Sequence, residues 1–162
     1  MKRNIYLLFA LTFLLSACNS SDSQSGQDEM GWMVDLDRAV ELSKETGKPI
    51  MANFTGSDWC GWCKRLKREV FDTPEFKTWA EDNVILLELD FPRKTPISDE
   101  LRKQNRNLQY AFGVRGYPTI HFFTADSSSE GGYTYKRLAQ SGYVRGGAGA
   151  WITDAQSKLS LN

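Results

Sequence analysis

The sequence predicts an α/β domain with a central mixed sheet flanked by helices. Three observations carry that reading. Four short runs, at residues 49–54, 84–89, 119–124 and 133–140, read as strands and alternate with segments of helical periodicity. The last two runs are separated only by a polar, glycine-containing turn, so they form a hairpin with an antiparallel edge, while helix-linked strands imply parallel pairs. With 41% hydrophobic and 12% aromatic residues, a chain of 162 residues can bury one sizeable core.

The elements follow in order. Asp35 can cap a first helix over residues 35–46, with Leu36, Ala39, Val40 and Ser43 on one face and Gly47 as its stop. Residues 49–54 are apolar and short, as a buried strand should be. A second helix starts at Cys60-Gly61-Trp62-Cys63, with Leu66 and Val70 as its apolar stripe. Thr73-Pro74-Glu75 is a cap followed by proline at the first helical position, opening a short helix through Trp79. Residues 84–89 form a second buried strand, and 91–96 a loop with two prolines and two basic residues. Ser98 caps a helix through Ala111, with Asp99 and Glu100 in its favourable first turn and Gly113 at its end. Tyr117-Pro118 precedes the strand at 119–124, residues 125–132 form a polar turn, and 133–140 are the fourth strand. The stretch 142–149 carries four glycines and reads as loop, before a last amphipathic helix over 150–159.

The N-terminus reads differently. Met1-Lys2-Arg3 is basic, and the apolar run at 5–15 is too short to span ~30 Å of hydrocarbon as a helix. It ends in Ser16 and Ala17, as an export signal does. Leu15-Ser16-Ala17-Cys18 resembles the lipobox of bacterial lipoproteins, a resemblance that implies an acylated Cys18 at the mature N-terminus and a lipid-held, envelope-located protein. Residues 1–17 are then a lipoprotein signal peptide, 18–30 a flexible tether rich in Ser, Asp and Gln, and 31–162 the folded domain. Loss of Lys2 and Arg3 from the 20 basic residues leaves 18 against 20 acidic ones, which gives no reason to expect nucleic acid as a partner.

With Cys18 assigned to lipid, Cys60 and Cys63 remain. Cysteines at i and i+3 in the first turn of a helix are close enough to bridge. The unpaired amides and dipole of a helix N-terminus favour the thiolate, the species that attacks a disulfide. Cys60 is the expected nucleophile and Cys63 the resolving thiol. Lys64, Arg65, Lys67 and Arg68 add positive potential. A purely structural bridge would close a tiny loop and stabilise little. Zinc needs four ligands, and only this pair and His121, inside a strand, are on offer, so no metal is expected. Copper(I) would accept two thiolates, but no methionine or histidine lies near the pair in sequence.

From about residue 33 to 159 the chain resembles the thioredoxin superfamily. The matching features are Trp59-Cys60-Gly61-Trp62-Cys63-Lys64 after a buried strand, Gly116-Tyr117-Pro118-Thr119 before the hairpin, and the element order. The lead-in Gly56-Ser57-Asp58 and the following Val70-Phe71-Asp72 resemble exported bacterial members, including reductase domains of thiol-disulfide interchange systems. The resemblance implies a thioredoxin-like fold and a thiol-disulfide oxidoreductase whose only redox group is the Cys60–Cys63 couple. It implies a cis Pro118 facing that couple, and a substrate surface made by Trp59, Gly61, Trp62, Tyr117 and Pro118. Partners are then exported proteins with disulfides and an envelope redox partner. Two departures matter. Trp62 stands where thioredoxins usually carry proline. Asn53 stands, allowing one extra loop residue, where many carry a buried aspartate, so Glu88 on the next strand is the candidate proton relay. Reduction is the expected direction, with an oxidant or isomerase and a non-catalytic peptide-binding module as alternatives.

Overall fold

The protein is described by a computed structural model over residues 31–160. The proposed leader and tether, residues 1–17 and 18–30 with Cys18, lie outside the described residues. At the centre of the sheet is β1 (Ile50–Thr55), buried along its whole length. It pairs in parallel with β2 (Ile85–Asp90) and antiparallel with β3 (Thr119–Ser127), which pairs antiparallel with β4 (Tyr133–Ser141), giving the order β2–β1–β3–β4. A strand covered on both faces has no reason to alternate polar and apolar residues, hence the continuous run.

One face carries α1 (Leu36–Thr46) and α4 (Asp99–Phe112). Their Leu36, Val40, Leu108 and Phe112 form one core with Ile50, Ala52 and Phe54 of β1. The other face carries α2 (Gly61–Leu66), α3 (Pro74–Asn83) and α5 (Gly147–Ser160), and there Leu66, Phe76 and Trp151 form a second core with Met51, Ile120 and Phe122. The cap signals act as expected. Asp35, Thr73 and Ser98 accept the backbone N–H of Arg38, Phe76 and Leu101, and Gly47 and Gly113 close α1 and α4 in the left-handed region. The outer edge of β2 is bridged in part by Met33, whose N–H donates to Leu86 and whose carbonyl accepts from Glu88.

Several expectations need correction. Strands joined through a helix imply a parallel pair, yet β3 runs antiparallel to β1. β2 ends beside Thr55 and β3 begins beside Phe54, so the connection 91–118, α4 included, leaves and re-enters at the same end of the sheet. The third helix continues past Trp79 to Asn83 because Glu81, Asp82 and Asn83 extend its solvent side without a breaker. β3 runs on to Ser127, since Ala125 still packs in the core and the turn is made later by Gly131 and Gly132 at positive φ. The last helix starts inside the glycine-rich stretch, at Gly147, because Ala148 is already buried against the second core. Finally, α2 passes into a π-helical turn (Lys67–Phe71) closed by the Asp72 N–H on the Lys67 carbonyl. The wider turn lets both Val70 and Phe71 face the core.

Candidate active site

The C-terminal end of β1 delivers the chain into the turn 56–59 and then α2. Gly56 opens the turn: its carbonyl accepts the N–H groups of Trp59 and Cys60, and the Trp59 indole lies directly over it. A Cβ at Gly56 would stand 2.5 Å from that ring, so only glycine fits. Cys60 is the N-cap of α2. Its Sγ accepts the backbone N–H of Cys63 at 3.2 Å, an orphan amide of the first helical turn aimed at the sulfur. Cys60 and Cys63 form a disulfide, with Cα atoms 5.3 Å apart and both residues buried.

Two aromatic walls flank the pair. On one side Trp59 donates its indole N–H to the Phe91 carbonyl at 2.8 Å and meets the Tyr117 ring edge-on at 5.8 Å. Tyr117 stacks on Phe91, takes a hydrogen bond from the Gln109 amide on its hydroxyl, and leads into a cis bond to Pro118. Burial and the Asp90 carboxylate push the Tyr117 phenol up from its usual range. The loop carrying Phe91 is tied down by Asp58, whose carboxylate accepts the backbone N–H groups of Arg93, Lys94 and Thr95. Those donors hold the Asp58 carboxyl below the ordinary aspartate range. The Arg93 guanidinium caps the Trp59 ring, 3.8 Å from its centroid.

On the other side Trp62 is 54% exposed. It leans on Tyr143, and the Arg65 guanidinium lies 5.4 Å from the Trp62 centroid and 5.2 Å from that of Tyr143. Glu69 accepts the Tyr143 hydroxyl at 2.6 Å and Arg65 Nε at 2.8 Å, contacts that hold its carboxyl below the usual range. Tyr143 follows Gly142, whose carbonyl accepts the Trp151 indole N–H from the core. The loop is thereby fixed beside Pro118, whose carbonyl lies 3.6 Å from where a Gly142 side chain would begin.

Behind the disulfide, a cavity of about 160 Å³ is lined by Cys63, Asn53 and Glu88 together with Lys64 and Lys67. Asn53 and Glu88 are register partners on β1 and β2, on the face that carries α2. Asn53 is 5% exposed, and its Oδ1 has no hydrogen-bond partner in the protein. That cavity meets the size and polarity a bound water needs.

The sequence-predicted residues therefore converge. Trp59, Cys60, Gly61, Trp62 and Cys63 form the turn and first turn of α2, Tyr117 reaches them through Trp59 with Pro118 next to it in the chain, and Glu88 lines the cavity beside Cys63. His121 stands apart, buried on the opposite face among Phe54 and Phe112. Burial and the nearby Arg137 lower its pKa to about 4. Sequence reasoning missed Phe91, Arg93, Glu69 and Tyr143, and named Asp58 only as part of the Gly56-Ser57-Asp58 lead-in, with no role. Of the four missed, Glu69 alone lies close to the cysteines in the chain, and it belongs to no spacing pattern that would single it out.

This arrangement defines a protein of thioredoxin fold whose chemistry is that of a thiol-disulfide oxidoreductase. Residues 31–125 match the family described as thioredoxin-like, and the chain belongs to that family. It is 36% identical over 123 residues to the disulfide bond reductase DsbH of Chlamydia pneumoniae, covering 76% of this chain and 69% of that protein. It is 31% identical over 115 residues to the thioredoxin-related protein DsbJ of Chlamydia pneumoniae, covering 70% of this chain but only 32% of the relative. Among solved structures, the DsbH oxidoreductase superposes with a TM-score of 0.70 at 34% identity, covering 84% of this chain and 88% of that one.

Proposed function

We propose that the protein reduces disulfides of exported proteins, with Cys60 as nucleophile and Cys63 as resolving thiol. The observation that carries this is the Cys63 amide aimed at Cys60 Sγ, which favours negative charge on that sulfur in the reduced state. In the dithiol form, the Cys60 thiolate attacks a target disulfide. A bond forms between Cys60 Sγ and one target sulfur, and the other target sulfur leaves as a thiolate and takes up a proton. Cys63 then loses its proton and attacks Cys60 Sγ, expelling the second target thiolate. Two electrons have passed to the target, and the protein is left as the Cys60–Cys63 disulfide until an envelope donor reduces it. Glu88 is the proposed acceptor of the Cys63 proton, through water held in the cavity by Asn53 Oδ1. Trp59, Gly61, Trp62, Tyr117 and Pro118 form the surface on which the target segment lies.

The direction is supported by the similarity to a protein named as a disulfide bond reductase. Acylation at Cys18 and the tether 18–30 would hold the domain at the membrane with residues 31–162 free to turn. Among the described residues no helix is long and apolar enough to cross a membrane. Insulin reduction by wild type and a Cys60→Ser/Cys63→Ser variant tests the chemistry, and equal activity in both would refute it. Mass spectrometry of the membrane fraction tests the anchor: an acylated N-terminal cysteine is expected, and a mature chain cleaved elsewhere would contradict it.

A further inference from the structure

Around the disulfide, four carboxylates are already engaged by partners within the protein. Asp58 is occupied by three backbone amides, Asp90 by the N–H and hydroxyl of Ser57, Glu69 by Tyr143 and Arg65, and Asp72 by Lys67. Among the described residues no carboxylate lies within ion-pair distance of Arg93, Lys94 or Arg145. The whole chain is balanced, with 20 basic and 20 acidic residues, so this rim is a local segregation of charge rather than a consequence of composition.

Two members of the rim are pre-positioned. The Arg93 guanidinium sits over the ring of Trp59, which precedes Cys60, and Arg65 packs on Trp62 and Tyr143, with its Nε engaged by Glu69. Each guanidinium keeps N–H groups available for a carboxylate while its position is set by an aromatic face. Little side-chain entropy is then left to lose when a bond forms.

We infer that Arg65 and Arg93 are specificity determinants that select target segments carrying Asp or Glu on both sides of the reactive cysteine. This rests on the proposed exchange at Cys60, and it adds a substrate class: an extended acidic segment laid from the Trp59 wall to the Trp62 wall. Stacked guanidiniums on opposite walls match carboxylates on opposite sides of the target cysteine.

The test uses the full chain, reduced, and two peptides with one disulfide each, identical except for Asp or Asn beside the cysteines. The acidic peptide should react about threefold to tenfold faster at low salt, chiefly through Arg93, with a smaller part from Arg65, whose charge Glu69 already offsets, and the advantage should shrink on adding salt. Arg65→Gln and Arg93→Gln should each remove part of the preference, and the double variant nearly all of it. Equal rates for the two peptides in wild type, or an undiminished preference in the double variant, would overturn the inference. Equal peptide rates together with retention on phosphatidylglycerol vesicles would overturn it in favour of an anionic lipid surface. Wild-type exchange with bis(2-hydroxyethyl) disulfide reads the cysteine pair alone. Its absence would defeat the underlying chemistry as well, whereas its presence with equal peptide rates would defeat only the charge selection.

Discussion

The two tryptophans beside the cysteines have opposite surroundings. Trp59 is held by four contacts: its indole N–H is bonded to Phe91, its ring meets Tyr117 and lies on Gly56, and Arg93 sits over the ring. Trp62 meets Tyr143 and Arg65 and is more than half exposed. An indole fixed by a hydrogen bond, a close backbone approach and a stacked cation shapes the site. An exposed indole on a helix meets what arrives. On the proposed reading both walls face the target, but the Trp59 wall also fixes the shape of the site, while Trp62 offers chiefly contact, and the same residue type serves differently because its environment differs.

Substitution should separate the two. Trp59→Ala removes a packed ring and strands the Phe91 loop, so a loss of about 2–4 kcal/mol is expected in chemical denaturation. A loss no larger than that of Trp62→Ala would break the comparison. Acid provides the next contrast. His121, on the far face, is held neutral with its pKa lowered to about 4 from 6.5, so the unfolded chain binds more protons between those values. Stability should therefore fall as pH drops from 6.5 towards 4, by on the order of 2–3 kcal/mol, and His121→Phe should flatten that slope. The Trp59 wall should outlast this window. The Asp58 carboxyl is depressed below its ordinary 3.8, so its contribution is present above that value and is lost only as pH falls through the lower folded pKa. Tryptophan emission that shifts between pH 6.5 and 4 in wild type but not in Trp59→Phe would show the wall failing early.

Gly56→Ala pushes a methyl into the Trp59 ring, for an expected loss of about 1–2 kcal/mol that should largely vanish in a Trp59→Ala background. Trp62→Ala should cost less than about 1 kcal/mol in stability yet slow exchange with a peptide disulfide several-fold. An unchanged exchange rate would remove Trp62 from the contact surface. Glu88→Gln belongs to neither wall. It should leave mixed-disulfide formation unaltered and slow its resolution by about tenfold or more, readable by quenched mass spectrometry across pH.

Much of this was legible in the chain. Cap residues, glycine stops and the alternation of runs place nearly every element, because those signals are local. The cysteine spacing is a local signal too, whereas Tyr117-Pro118 entered the candidate site only through the resemblance to the thioredoxin superfamily. What was hidden is what contacts distant in sequence decide. Phe91 meets Trp59 across 32 positions, and Tyr143 meets Glu69 across 74, with no spacing rule to announce either. The direction of β3 was misread because a helix between strands does not fix which end of the sheet the chain returns to. The cavity beside Asn53 and Glu88 was half visible. Both residues could be named from the sequence, but their pairing in register and their convergence on Cys63 required the fold.

The roles of the two sulfurs are tested most directly by trapping. Single variants Cys60→Ser and Cys63→Ser, reduced and mixed with a peptide disulfide, can be acid-quenched and weighed. Cys63→Ser should accumulate one peptide per chain, mapped to Cys60, while Cys60→Ser should accumulate almost none. Comparable trapping on Cys63 in the Cys60→Ser variant, or no adduct in either, would contradict Cys60 as the attacking thiol.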